Sequence, residues 1–137
     1  MATYVLLIQH AAPRWVTVGK WGRLALQPGH ALYVGSARKG WRARIARHRA
    51  TEKKVRWHID YLLTGPLSRV TAVWMTPEDR ECLTATALAA LTGISQPGKG
   101  VGSSDCRCPT HYFTVASPLE GVATLLETMG FAPLPQT

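Results

Sequence analysis

A tyrosine, an arginine and a histidine follow one another closely in the segment YVGSARKGWRARIARH, residues 33–48. Arg44 and His48 are four residues apart, so on a helix they share one face. Tyr33 lies two residues before Gly35, and on a strand these two residues face the same side. An arginine fork suits a phosphate group, and a histidine or tyrosine can transfer a proton. The segment therefore favours a phosphate-handling site. The alternative is that Tyr33 is a core residue and His48 a cation at a helix end.

Positive charge is concentrated in the same region. The chain has 16 Lys and Arg against 8 Asp and Glu, and its net charge is +8 at pH 7. Nine of the basic residues lie between Arg38 and Arg56, with Glu52 as the one acid among them. Such a concentration is typical of a protein that binds a polyanion, because contacts with phosphates release counterions. A solvated helix face on a basic protein is the alternative. The candidate backbone contacts are Arg38, Lys39, Arg42, Arg47, Arg49, Lys53, Lys54 and Arg56.

Length and composition predict one globular domain with a hydrophobic core. The chain has 137 residues, of which 46% are hydrophobic and 18% charged. Its apolar stretches are far shorter than the roughly 20 residues of a membrane span, and its N-terminus lacks the features of a secretory signal. We therefore expect a soluble cytoplasmic protein with no membrane partner, associated with the nucleoid if it binds DNA. The domain is placed at residues 1–130, followed by a proline-containing tail at residues 131–137.

Strands and helices alternate in the hydrophobic pattern. Strands are predicted over residues 3–9, 30–35, 69–76 and 111–116, with a hairpin over 15–26. Helices are predicted from Gly40, over 57–63, from Pro77 to Leu91, and from Ser117 to about Met129. The fold class is therefore α/β (α+β). We expect a small sandwich with a central mixed or antiparallel sheet of about three core strands, an extra hairpin and flanking helices.

Three motifs resemble the GIY-YIG nuclease superfamily. They are Tyr4-Val5-Leu6, Tyr33-Val34-Gly35 and Gly40-Trp41-x-x-Arg44-Ile45-x-x-His48. The chain departs from the family pattern at TYV in place of GIY, at Trp41 in place of leucine, and in an extra hairpin-like segment between the two strands. The resemblance implies a GIY-YIG-type endonuclease with Tyr4, Tyr33, Arg44 and His48 as catalytic residues. Tyr4 would help deprotonate the attacking water, and because a phenol has a pKa near 10, the nearby cation and metal would have to lower it.

Two further segments resemble one branch of the same superfamily. They are WHIDYLL at residues 57–63 and GSSDCRCPTH at residues 102–111. Members of this branch are sometimes fused to DNA glycosylases of the endonuclease III type, which implies a DNA substrate and a role in DNA repair or processing. His58, Asp105 and His111 are the additional candidate site residues in or beside these motifs.

The resemblance also implies a carboxylate that holds one divalent metal, and it selects Glu81. The structural alternative treats Glu78, Asp79 and Glu81 together as acids that complement the dipole of a helix beginning at Pro77. A single carboxylate completed by water and substrate oxygens suits one Mg²⁺ or Mn²⁺ ion.

The three cysteines are odd in number and follow no signal peptide, which argues against a disulfide framework. Cys82, Cys106, Cys108 and His111 could form a tetrahedral zinc site. The Cys-x-Cys spacing is tighter than that of most zinc sites, and buried cysteines often act as small hydrophobic residues. We therefore do not expect zinc.

The leading hypothesis is a metal-dependent nuclease acting on DNA or another nucleic acid. A non-catalytic nucleic-acid-binding module and a zinc-stapled interaction domain are the alternatives.

Overall fold

A computed structural model describes residues 2–18, 22–37, 39–51, 53, 59–96, 110–116 and 119–135. In chain order the elements are β1 (Ala2–His10), β2 (Arg14–Val18), β3 (Gly22–Leu26), β4 (Gly29–Ala37), α1 (Trp41–Arg49), α2 (Asp60–Leu63), β5 (Ser68–Thr76), α3 (Glu81–Ala89), β6 (Ile94–Ser95), β7 (Tyr112–Val115), α4 (Leu119–Thr128) and β8 (Ala132–Pro133). Among the helices described, none has the length and apolar character needed to span a membrane.

The expected α+β class is confirmed. Six strands form one antiparallel sheet in the order β6-β7-β4-β1-β5-β8, and β2 pairs with β3 in a separate two-stranded sheet. The three central strands β4, β1 and β5 each have nine residues. All residues of β1 except Gln9 are buried, because layers cover both faces of the sheet, and this explains its continuously apolar sequence.

Alternate residues of β1 contribute to two separate cores. Tyr4, Leu6 and Ile8 belong to the first core, to which the β2–β3 hairpin, α1 and α2 contribute residues. Val5 and Leu7 belong to the second core, which α3 and α4 cover. The twofold alternation of side chains along a strand produces this division. The antiparallel register places Tyr4 opposite Gly35, so Tyr4, Tyr33 and Gly35 lie on the first face.

Helix α3 begins four residues later than predicted. The sequence pattern placed its start at Pro77, but the helix begins at Glu81. The hydroxyl of buried Thr3 donates a hydrogen bond to the carbonyl oxygen of Glu78 and accepts one from the backbone N–H of Arg80. These two bonds hold the connection against β1 in a non-helical conformation. Glu78 and Asp79 therefore precede the helix, and Glu81 is the acid in its first turn.

The C-terminal segment is joined to the sheet. Phe131 is buried in the second core, and β8 pairs with β5. Beyond β8, the backbone N–H of Leu134 donates to the carbonyl oxygen of Val73, and its side chain packs against the first core. Arg49 of α1 donates a hydrogen bond to the carbonyl oxygen of Pro135. The segment thus passes round the β5 edge and contacts both layers.

Candidate functional site

Three aromatic rings meet where β1, β4 and α1 come together. The hydroxyl of Tyr4 lies 2.9 Å from Nε2 of His48 in a buried hydrogen bond. The ring centres of Tyr4 and His48 are 5.5 Å apart, and those of Tyr33 and His48 are 6.3 Å apart. The spacing of one helical turn from Arg44 to His48 places the imidazole on the inner face of α1, above the sheet. The structure therefore brings together the phenols and the imidazole that the sequence motifs singled out.

Arg44 is fixed between the strand and Tyr4. Its Nη1 donates a 2.5 Å hydrogen bond to the carbonyl oxygen of Ser36, just after the YVG motif. Burial raises the pKa of Tyr4 to about 12, and the charge and hydrogen bond of Arg44 oppose that rise. A guanidinium can only donate hydrogen bonds, so the oxygen of Tyr4 accepts from Arg44. With His48 in the tautomer protonated at Nδ1, the Tyr4 hydroxyl donates its proton to Nε2.

His48 is neutral at pH 7. Burial lowers its pKa to about 4, and the nearby charges of Lys53, Arg44 and Arg47 act in the same direction. Asp60 opposes them without reversing the shift. A neutral imidazole has one acceptor nitrogen, which matches the role of Nε2 towards Tyr4. Burial of its hydroxyl also raises the pKa of Tyr33 far above its usual range.

Glu81 supplies a negative charge beside these groups. Its side chain is 23% exposed, and its Oε2 lies 3.8 Å from Nδ1 of buried His111. The carbonyl oxygen of His111 accepts a 2.9 Å hydrogen bond from the N–H of Val34, within the YVG motif. The charge of Glu81 raises the pKa of both Tyr4 and Tyr33, so it acts on both phenols. Tyr4, Tyr33, Arg44, His48 and Glu81 are termed the Tyr4 cluster below.

Glu81 is the candidate metal ligand of the Tyr4 cluster. In the part of the chain that the structure describes, no group of three or more His, Cys, Asp and Glu residues could hold a metal. Glu81 is a single, partly exposed carboxylate, which suits an ion such as Mg²⁺ that keeps several water ligands. His111 faces Glu81, and Cys82 is exposed on α3. His58, Asp105, Cys106 and Cys108 lie outside the described residues.

A family model described as "Domain of unknown function DUF123" matches residues 3–131, which is most of the chain. The chain belongs to the DUF123 family. The matched region of this DUF123 domain contains the whole Tyr4 cluster and His111. The comparisons with curated proteins and with solved structures each find no match.

The basic residues of the DUF123 domain divide into outward and inward groups. Lys39 and Arg42 are exposed. Arg47 instead pairs with buried Asp60 at 2.7 Å, and Lys53 donates to the carbonyl oxygens of Arg47 and His48 at the end of α1. Arg47 and Lys53 thus make contacts within the domain, and their contact with a nucleic-acid backbone stays a prediction. Arg49 also bonds within the chain, and Arg38, Lys54 and Arg56 lie outside the described residues.

A second buried polar group at the far end of β1 has no counterpart in the sequence predictions. His10 contacts Ser68 Oγ through Nδ1 at 2.6 Å and the Tyr112 hydroxyl through Nε2 at 2.8 Å. Arg14 donates to the same serine at 2.8 Å. Burial lowers the pKa of His10 to about 4 and raises that of Tyr112. The one signal in the sequence is that His10 and Tyr4 alternate onto the same face of a strand.

Proposed function

We propose that this DUF123 domain is a metal-dependent nuclease that hydrolyses phosphodiester bonds in DNA or another nucleic acid. The observation that carries the proposal is the joint position of Tyr4, Arg44 and His48, with the charge of Glu81 acting on Tyr4. A cation, a proton-transfer pair and a carboxylate are the groups that phosphodiester hydrolysis needs. The WHIDYLL and GSSDCRCPTH segments resemble a branch of the GIY-YIG superfamily whose members are sometimes fused to DNA glycosylases. This resemblance supports a role in DNA repair or processing.

Arg44 would stabilise the negative charge that develops on the phosphate. Its guanidinium is held by Ser36 and Tyr4, so it is oriented before substrate binds. Preorganised donors of this kind need little rearrangement in the transition state, which makes their electrostatic contribution large. A lysine at this position would keep the charge but lose the planar fork.

Tyr4 and His48 would move the proton of the attacking water as a pair. With a pKa of about 12, Tyr4 is protonated at neutral pH and is a poor base by itself. It can take a proton from water if its own proton passes to neutral His48 Nε2, 2.9 Å away, and if the negative charge of a bound phosphate raises the pKa of His48 from about 4 towards neutrality. The pair then holds one additional proton, carried on the imidazole, and the Tyr4 hydroxyl is regenerated.

Glu81 would hold a Mg²⁺ or Mn²⁺ ion through its partly exposed carboxylate. When bound, such an ion polarises the phosphate and lowers the pKa of a water molecule. His111, buried beside the carboxylate, would orient Glu81. Lys39 and Arg42 would contribute contacts with the nucleic-acid backbone.

The proposal is tested by a cleavage assay with single-stranded, double-stranded and flapped DNA, in Mg²⁺, in Mn²⁺ and in EDTA. We expect metal-dependent cleavage by the wild type and a loss of at least about 100-fold in Arg44→Ala and Glu81→Gln, since each removes stabilisation of the phosphate. Arg69→Ala and Glu127→Gln remove matched exposed charges elsewhere and should cleave normally. The absence of cleavage by the wild type on every substrate would contradict the proposal, as would full activity in both site variants.

A non-catalytic nucleic-acid-binding module is the second candidate. The observation that favours it is the burial of Tyr4. This residue is 2% exposed, and its burial strongly disfavours the charged phenolate form. Under this candidate, Glu81→Gln leaves salt-sensitive binding intact and the wild type cleaves nothing. Binding measured beside the cleavage assay therefore separates the two functions.

A further inference from the structure

Among the described residues of the β2–β3 hairpin, Trp15 is the large hydrophobic side chain that faces outward. Val18, Leu24 and Leu26 of the hairpin are buried in the first core. Trp15 points to the opposite side of the hairpin and is 60% exposed. The stabilisation that a tryptophan gives to a fold scales with the apolar area that it buries. Because most of the Trp15 side chain is exposed, it contributes little to the packing of the hairpin, and its ring is open to a ligand.

Arg23 holds the outward tryptophan in place. Its guanidinium carbon lies 4.6 Å from the centre of the Trp15 ring, a cation–π geometry. The register pairs Trp15 with Ala25 and Thr17 with Arg23, so the two side chains are diagonal neighbours on the outer face. Among the described residues, no acid pairs with Arg23. The hairpin thus presents an aromatic surface next to an exposed positive charge.

Charge separates the two layers that cover the sheet. The two hairpin strands and α1, which cover the first face, carry six arginines and no acid, and α2 adds the acid Asp60 to this layer. Helices α3 and α4, on the second face, carry three acids and no Lys or Arg. A polyanion is therefore attracted to the layer that contains Trp15.

Helix α1 repeats the arrangement in the same layer. The guanidinium carbon of Arg42 lies 4.4 Å from the centre of the Trp41 ring. Trp41 packs against the first core and is half-buried, whereas Arg42 is exposed. Arg44 of the Tyr4 cluster lies two residues further along this helix. An arginine–tryptophan pair on the hairpin and another on α1 thus belong to the layer that contributes Arg44 and His48 to the cluster.

We propose that Trp15 and Arg23 form a stacking platform for an unpaired base, so that the ligand of this layer contains a single-stranded segment. Exposed aromatic rings bind unpaired bases because every base has a π face, and an adjacent arginine adds phosphate or cation–π contact. In a duplex these faces are covered by neighbouring base pairs. The inference rests on the proposed function only for the identification of the polyanion as nucleic acid.

The platform is tested by binding in EDTA, where no cleavage is read. Fluorescence anisotropy would compare a labelled single-stranded 12-mer of thymidylate with a 12-base-pair duplex. Trp15→Ala should weaken binding of the single strand by about tenfold and leave duplex binding nearly unchanged, the size expected for one lost stack. Trp15→Phe keeps an aromatic face and should retain most of the affinity. Leu83→Ala removes a comparably exposed apolar side chain from α3 and should have no effect.

Salt dependence separates stacking from charge. Removing a stacked ring leaves the slope of log K against log salt unchanged, whereas removing one phosphate contact from a single strand lowers it by about 0.7. We therefore expect an unchanged slope for Trp15→Ala and a smaller slope for Arg23→Ala. Arg69→Ala, an exposed strand arginine outside the hairpin, provides the matched charge control.

Equal binding of the single strand by the wild type and Trp15→Ala would overturn the platform. So would an equal loss for single strand and duplex. If Trp15→Ala changes the sedimentation coefficient and not oligonucleotide binding, the exposed ring is a contact between copies of the chain, which also overturns it. A wild type that binds the single strand through Trp15 but cleaves nothing contradicts the nuclease and leaves the platform standing.

Discussion

Gly35 is the residue whose replacement tests the Tyr4 cluster most directly. A Cβ added at Gly35 would lie 2.5 Å from Cζ and Oη of Tyr4 and 2.7 Å from Cε2. Carbon atoms in contact are normally about 3.5–4.0 Å apart, so the added methyl group overlaps the ring by about 1 Å. Gly35 is not among the glycines with positive φ, so an alanine meets no backbone strain there. The cost of Gly35→Ala is therefore steric and falls on Tyr4.

The expected loss of stability is about 2 kcal/mol, because overpacking a well-packed core costs about 1–3 kcal/mol. In a domain of this size that lowers Tm by roughly 8 °C. A shift of about 1 Å in the Tyr4 ring would also lengthen its 2.9 Å hydrogen bond to His48. Misplacement of a reacting group by about 1 Å can reduce a rate by about 100-fold. We expect Gly35→Ala to lose both stability and any cleavage activity.

Urea unfolding and the cleavage assay measure these two losses. Gly121→Ala is the matched control, because within the described residues no heavy atom lies within 4 Å of the added Cβ and the position is helical. That control should gain up to about 1 kcal/mol. In a Tyr4→Leu background the overlap with the ring is gone, so Gly35→Ala should cost much less there. Equal costs in the two backgrounds, or a Gly35→Ala variant as stable as the wild type, would refute the packing of Tyr4 on Gly35.

Three further predictions concern charge and protonation. Burial lowers the pKa values of His10 and His48 to about 4 in the folded state, against about 6.5 in the unfolded chain. The unfolded state therefore takes up protons first, and urea unfolding should show a loss of about 2 kcal/mol per histidine between pH 8 and pH 5. Asp60→Ala leaves Arg47 without its buried partner and should cost about 3 kcal/mol in the same assay; a loss below about 1 kcal/mol would contradict that. Arg44→Lys keeps the charge but not the fork, so it should cleave at least about tenfold more slowly with unchanged substrate binding, and wild-type kinetics would count against a role for the fork.

Local patterns were sufficient to predict the main strands and the helical half of the candidate site, which consists of Arg44 and His48. The apolar run of β1 and the alternating residues of β5 identify these strands, and the spacing of four residues places Arg44 and His48 on one helix face. These signals come from neighbouring residues, so no knowledge of the tertiary structure is needed to read them. The antiparallel arrangement of Tyr4 opposite Gly35 agrees with the predicted strands but depends on the register, which the hydrophobic pattern alone does not specify.

Interactions between distant residues account for what the patterns missed. Helix α3 begins at Glu81 because Thr3, far away in the sequence, binds the preceding connection. Arg42 and Arg47 carry the same charge in one basic run of sequence, yet Arg42 is exposed whereas Arg47 pairs with Asp60, which the chain brings in from α2. Whether a charged residue is available to a ligand therefore depends on which acid the fold places beside it. A charge count along the sequence contains no such information.

The two ends of β1 show why buried polar chemistry alone does not make a site. At each end a buried histidine with a pKa of about 4 contacts a tyrosine hydroxyl at 2.8–2.9 Å. At the His10 end the partners Ser68 and Tyr112 are themselves buried. At the Tyr4 end the pair adjoins Arg44 and the partly exposed carboxylate of Glu81. The charge of Arg44 lowers the pKa of Tyr4, and the charge of Glu81 raises it. The His10 end also has an arginine, Arg14, but among the described residues only the Tyr4 end joins the histidine–tyrosine pair to both an arginine and a partly exposed carboxylate, and it is therefore the end at which we propose catalysis.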